Sequence, residues 1–225
     1  MMKAYAEMIR DLSGNNPVKR EQHLNIIIEE TDRLTQIVND MLDLSKLESG
    51  AQKLDYSTFD IAQCMAEIVH RYEGVSERMG YQIHLTLDEP CMVRCDESKI
   101  DRVIGNLINN AINYTSKEDK QVFVTQRNLP QCVRIEVRDT GDGIEEDKIK
   151  LIFDKYYRSE NHKREVVGTG LGLSIVKEIL KMHNYNYGVN SKLGEGSTFW
   201  FEIRDIVPPE KPEDEEIPDA EIRQL

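Results

Sequence analysis

Residues 24–45 carry a repeat that no isolated helix can satisfy. Ile27, Leu34 and Met41 recur every seven residues, and Leu24, Thr31, Val38 and Ser45 form a companion row. Residues at this interval line one seam of a helix, and charged groups such as those of "EETDR" fill the positions between. The seam calls for a helical hairpin or an intermolecular bundle. The preceding segment "AYAEMIRDL" is amphipathic and stops at "SGNNP", where Gly14 and Pro17 punctuate the chain. Two helices of such unequal length cannot bury the seam alone, so a partner is expected. The first helix starts at Met1 with no capping residue before it and reads as cut.

From about Thr58 the period changes. "FDIAQCMAEIVHRYEGV" predicts a helix, "YQIHLTLD" a strand with Ile83, Leu85 and Leu87 on one face, and "CMVRCD" a short strand. "DESKIDRVIGNLINNAINYT" predicts a long amphipathic helix opened by an Asp/Ser cap region. The strands "QVFVTQRN" and "CVRIEVRD" are joined through "LPQ". After a helix over 171–182, "YGVNS" and "STFWFEI" form a hairpin around "KLGEG". The expected fold class is α+β: a two-layer α/β sandwich, one helical layer over a mixed sheet, preceded by the helical hairpin. The domains expected are a hairpin over 1–50, a sandwich over 51–206 and a tail over 207–225. That tail, "VPPEKPEDEEIPDAEIRQL", is rich in Pro and carboxylates and is expected to stay disordered.

Composition excludes several classes. The net charge of −12 argues against a broad nucleic-acid interface, which needs a basic face. No apolar run approaches the length of a membrane span. Cys64, Cys91, Cys95 and Cys132 fit no zinc spacing and no small disulfide framework, and the five histidines show no paired-ligand spacing. Buried free thiols in a reducing, cytoplasmic compartment are expected.

Four short stretches carry chemistry. In "EVVGTGLGLSIVKEIL", Gly168, Gly170 and Gly172 stand at every second position just before a helix. Such a cluster suits close approach of a phosphate to a helix N-terminus, or else a plain hinge. It is neither a Walker loop nor the dinucleotide fingerprint. In "NLINNAINYT", Asn106, Asn110 and Asn113 share one helix face, offering amide ligands for a hard cation and donors for phosphate, or only a polar surface. In "RDTGDGI", Asp139 at a strand end offers a carboxylate acceptor, and Gly141 and Gly143 would let backbone approach a flat ring, although Asp-Gly pairs also make ordinary turns. "IFDKYYR" adds Phe153, Lys155 and Arg158 at the head of a long polar loop, 154–169, that reads as a lid.

Taken in chain order, the stretches resemble the boxes of a sensor histidine kinase and its GHKL-type ATP-binding domain. "NLINNAINYT" resembles the N box, "DTGDGI" the first glycine box, "IFDKYYR" the F box, "GTGLGL" the second glycine box and "GEGSTFWFEI" the closing segment. "LNIIIEETDRLTQIVNDMLDLSKLESG" resembles the second helix of the dimerisation and phosphotransfer domain, which implies a dimeric four-helix bundle. The resemblance implies ATP and Mg²⁺ as cofactors, with Asn110 ligating the metal and Asn106 assisting. Asn113 would sit at the phosphates. Asp139 would accept from the adenine amino group, Thr198 would lie nearby, and Tyr114 would pack at the ring. Arg158 would reach the γ-phosphate, and Gly168, Gly170, Leu171 and Gly172 would form the lid hinge and helix start.

The resemblance further implies a response-regulator receiver domain as partner, homodimerisation through 1–48, and a cytoplasmic domain of a membrane-bound sensor. The family's acceptor histidine would lie upstream of "KAYAEM", since His23, His70, His84, His162 and His183 lack its sequence context. No autophosphorylation and a weakened dimer are therefore expected of this chain. Position 113 is Asn where the family often has Lys, and "HNYNY" replaces a His-Gly-Gly turn. The alternatives are a GHKL-type ATPase, disfavoured because Asn106 stands where a water-activating Glu is needed, and a nucleotide-binding interaction module.

Overall fold

The computed structural model describes residues 2–115, 120–155, 157 and 169–208. Helix α1 (Met2–Met8) runs into a π-helical turn at Ile9–Ser13, which the sequence pattern does not anticipate, and α2 (Pro17–Glu48) returns against both. Asn16 caps α2 by accepting the Lys19 N–H at 3.1 Å, and Pro17 sits where a missing donor does no harm. The seam is bare along much of its length: Leu24, Leu34, Val38 and Met41 are exposed. The C-terminal end of α2 is not. Leu44 and Leu47 are buried in the same core as the sheet, and α2 packs on the later helix α6.

That core lies under a five-stranded mixed sheet. Its order is β2 (Gln82–Leu87), β4 (Gln121–Leu129), β5 (Cys132–Asp139), β7 (Gly196–Ile203) and β6 (Asn186–Lys192). The β2–β4 pair is parallel and the other neighbours are antiparallel. Helices α3 (Ile61–His70), α5 (Glu97–Tyr114) and α6 (Gly172–Met182) cover one face, meeting Val124, Ile135, Val137, Phe199 and Phe201. The α+β sandwich expected from the sequence is the fold observed.

A short strand is also unanticipated. The helix expected from Phe59 starts instead at Ile61, because Phe59 and Asp60 close a strand, β1 (Ser57–Asp60), antiparallel to β3 (Met92–Cys95). Asp60 decides this. Its carboxylate accepts the Ala62 N–H at 3.0 Å and the Cys91 N–H at 3.1 Å, capping α3 and tying it to the approach to β3. The expected helix also breaks after His70 and resumes as α4 (Glu73–Met79), which ends on Gly80 in the left-handed conformation.

His183 ties the end of α6 to the start of α5. Its Nδ1–H donates to the Ile179 carbonyl at 2.9 Å, and its Nε2 accepts the Asp96 N–H at 3.3 Å, so this ring is neutral and of one tautomer. Burial pushes its pKa below the ordinary value, outweighing the Ile179 carbonyl and the Asp96 and Asp205 carboxylates, which raise it. The following Asn184 takes φ of 58°, the left-handed conformation that Asn tolerates. Ile206 bridges to Val93, and the Val207 N–H reaches the Met92 carbonyl at 2.8 Å, so described structure extends past residue 206. All four cysteines are free, and burial pushes the Cys64 and Cys95 thiols up to about 12. Among the described residues, no helix is long and apolar enough to cross a membrane.

Candidate functional site

Helix α5 sorts its residues by the helical period. Ile100, Ile104, Leu107, Ile108 and Ala111 are buried, while Asn106, Asn110 and Asn113 rise along another face. Asp96 opens the helix by accepting the Lys99 N–H at 3.1 Å, and its other oxygen takes the Asp55 N–H. Beside the last turns lies a cavity of about 280 Å³, lined by Asn110, Tyr114, Asp139, Ile144, Lys148 and Phe199 among others. A larger hollow of about 680 Å³ adjoins it, sharing Asn110, Tyr114, Ile152, Tyr157 and Leu173. Asn106, Asn113, Thr169, Gly170 and Gly172 line this second hollow. The three amides therefore meet at one place.

Asp139 ends β5 and is 3% exposed. Its Oδ1 accepts the N–H groups of Gly141 at 2.8 Å and Ser197 at 3.2 Å, which fixes the plane of a buried carboxylate against the cavity. The neighbour from β7 is thus Ser197, not the expected Thr198. Strand alternation explains the correction: Ser197, Phe199, Phe201 and Ile203 face the helical layer, which sends Thr198 to the opposite face.

The glycines of this loop have a packing purpose of their own. A Cβ on Gly141 would stand 2.5 Å from the Tyr114 carbonyl, and one on Gly143, at φ 71°, would stand 2.1 Å from the Lys192 carbonyl. These residues let the loop after β5 nest against α5 and against the β6–β7 hairpin, where the Gly194 N–H donates to the Asp142 carbonyl at 2.7 Å. Close packing of protein on protein requires them.

At the start of α6, Gly170 takes φ of 71°, and the Leu171 N–H is held by Thr169 Oγ1 at 3.2 Å. The Leu171 side chain is fully buried, so it anchors the helix start in the core. Asn106 Nδ2 approaches the Gly172 carbonyl at 3.4 Å. Phe153 is likewise a core anchor, edge-on to Tyr187 and Phe199 at 5.2 and 6.3 Å between ring centres. Lys155 is paired with Glu48 of α2 at 2.6 Å. Arg158 and Gly168, with most of the expected lid, lie outside the described residues.

Several lining residues carried no local signal in the sequence. Lys148 sits in the smaller cavity, held protonated by its 2.6 Å pair with Glu145. From α2, Arg33, Gln36 and Asp40 wall the larger hollow. Asp40 is 6% exposed and accepts from Gln36, from Arg102 of α5 and from Thr169 beside the α6 start. Among the described residues, no cluster of three or more His, Cys, Asp or Glu is placed to hold a metal ion.

Comparison with known proteins adds a family. Residues 95–206 match the histidine kinase-, DNA gyrase B-, and HSP90-like ATPase family, and residues 1–50 match the His Kinase A (phospho-acceptor) domain. Drug sensory protein A of Synechocystis is 34% identical over 214 residues, which cover 90% of this chain and 32% of that protein. The sensor protein kinase WalK of Staphylococcus saprophyticus is 32% identical over 205 residues, covering 90% of this chain and 33% of that one. The chain thus spans about a third of the length of these curated relatives. The solved structure of full-length ShkA in complex with AMPPNP superposes with a TM-score of 0.74 at 26% identity, over 84% of this chain and 40% of that one.

Proposed function

Because this chain belongs to the sensor histidine kinases, we propose that it is an ATP-binding kinase core serving a two-component pathway. The observation that carries the reading is the Asp139 carboxylate, buried and fixed in plane at the cavity that Asn110 and Tyr114 also line. Asp139 accepts the adenine amino group, with the Ser197 N–H holding the carboxylate in place, and Tyr114 and Ile144 pack the ring. The adjoining hollow takes the phosphates. Its donor set fits Mg²⁺: a hard cation that keeps waters and substrate phosphates as ligands needs only one or two protein oxygens, here from Asn110 with Asn106 assisting. Bound there, the metal supplies charge neutralisation between phosphate oxygens. Asn113 lies at the same end, and Arg158 reaches the γ-phosphate. Gly168, Gly170 and Gly172 let the lid close, with Leu171 as its fixed point.

In the reaction the γ-phosphorus leaves the β–γ bridging oxygen, bonds to an imidazole nitrogen, and passes to a carboxylate oxygen of a response-regulator receiver domain. The exposed seam of α2 supports a homodimer through 1–48, and the location proposed is the cytoplasmic domain of a membrane-bound sensor. Asn106 carries no base to activate water, which disfavours hydrolysis as the main activity.

None of the four described histidines lines either hollow. His23 is held by Ser13 Oγ at 3.0 Å, His70 pairs with Glu73, His84 stacks on Phe123, and His183 is buried. The chain is therefore expected to bind Mg-ATP without phosphorylating itself. A calorimetric titration run beside an incubation with γ-labelled ATP tests both statements. Absence of binding refutes the site, and stoichiometric acid-labile phosphate on any of these histidines refutes the second statement.

A further inference from the structure

The larger hollow has an unusual wall. Among the described residues lining it, Arg33 alone carries positive charge, beside the carboxylates of Glu29, Asp32 and Asp40 that α2 also contributes. Asp40 is already engaged by Gln36, Arg102 and Thr169. Arg33 is not engaged in the same way. Its ion pair with Glu30 is stretched to 3.9 Å, and its Nε is sealed from solvent with no hydrogen-bond acceptor among the described residues. A sealed donor without an acceptor is costly, and the guanidinium edge matches the spacing of two phosphate oxygens. The side chain as a whole is 31% exposed and lines the hollow.

We propose that Arg33 is a phosphate-binding residue: its guanidinium, carried on α2, donates to β- or γ-phosphate oxygens of nucleotide bound in the catalytic layer of the same chain. The inference rests on reading the two hollows as one nucleotide site. It adds that the helical hairpin forms part of that site. Glu29 and Asp32 on the same wall repel phosphate, and Arg33 offsets them next to amides that carry no charge.

The test compares Arg33→Ala and Arg33→Lys in the whole 225-residue chain by calorimetry with Mg-ATP, Mg-ADP and AMP. Ala favours helix, so the first variant keeps α2 intact. Arg33→Ala should weaken Mg-ATP about tenfold or more and leave AMP within about twofold, because the lost contact is charge-assisted and made to the distal phosphates. Arg33→Lys should recover part of the loss, since an ammonium restores charge without the planar fork. Unchanged Mg-ATP affinity in Arg33→Ala, with the unaltered chain binding normally, overturns the proposal. So does equal weakening of Mg-ATP and AMP, which marks a general distortion of the site. Failure of the unaltered chain to bind any of the three nucleotides overturns the nucleotide reading itself.

Discussion

Asp139→Asn replaces one atom and reverses a hydrogen-bond polarity. In the folded chain Oδ1 accepts from two buried N–H groups, those of Gly141 and Ser197. An asparagine can keep both bonds only by turning its carbonyl oxygen toward them. The opposite rotamer would set its NH₂ against two donors and leave both without an acceptor, at about 1–3 kcal/mol each. The amide nitrogen is thereby forced into the carboxylate's other position, on a side chain that lines the cavity. An adenine amino group then meets a donor where it needs an acceptor. Loss of that charge-assisted bond costs about 1.5–3 kcal/mol, or about ten- to a hundredfold in ATP affinity. The two retained bonds become neutral ones, so folding loses only about 1–2 kcal/mol. Calorimetry with ATP and a parallel urea melt separate the effects. Unchanged affinity would refute the adenine assignment. Collapse of the urea midpoint would refute the argument that the rotamer preserves the fold.

Gly143→Ala should destabilise the chain by about 2–4 kcal/mol in urea melts, since the new Cβ falls on the Lys192 carbonyl at an unfavourable positive φ. Gly194→Ala, also at positive φ but with open space around it, should cost only about 1–2 kcal/mol; equal losses would contradict the packing explanation. His183 is neutral and its folded pKa is depressed, so acid protonates the unfolded chain first. Stability should therefore fall as pH drops below 6.5, and His183→Asn should lack that component between pH 7.5 and 5.5. Arg102→Ala removes contacts to Asp43 at 2.6 Å and Asp40 at 3.3 Å and should cost about 1–2 kcal/mol, with a double-mutant cycle against Asp40→Asn showing positive coupling. A coupling of zero would mean that the pair does not hold α2 against α5.

What was legible in the sequence followed from period and order. The α5 stripe, the β4–β5 pair and the β6–β7 hairpin announce themselves because one face of each is buried, and burial writes itself as periodicity. Four residues of β1 are too few for alternation, and its direction is set by Asp60 reaching the Cys91 N–H, thirty-one positions away. The placement of Thr198 missed by one residue because "STF" alone does not tell which hydroxyl shares a face with Phe199; the alternation through Phe201 and Ile203 does. Asn110, Tyr114 and Asp139 could be picked from local motifs. Arg33 and Asp40 could not, since nothing near them in sequence marks the docking of α2 against α6 or its ion pairs with Arg102 of α5.

Helix α2 is one uninterrupted element of 32 residues, about 48 Å long. The bare seam runs along it from Leu24 to Met41, Glu29 to Asp40 wall the larger hollow beside that seam, and the far end is sunk in the core through Leu44 and Leu47. A stiff rod fastened at one end converts a small rotation at its root into a large sweep at its tip. Whatever free energy a ligand in the hollow draws from moving this rod must reappear, with the same magnitude, in whatever binds the seam. If pairing along the seam tightens the grip on nucleotide fivefold, nucleotide must tighten pairing fivefold. Sedimentation of the chain at graded nucleotide concentrations reads this reciprocity directly, without any phosphoryl transfer taking place.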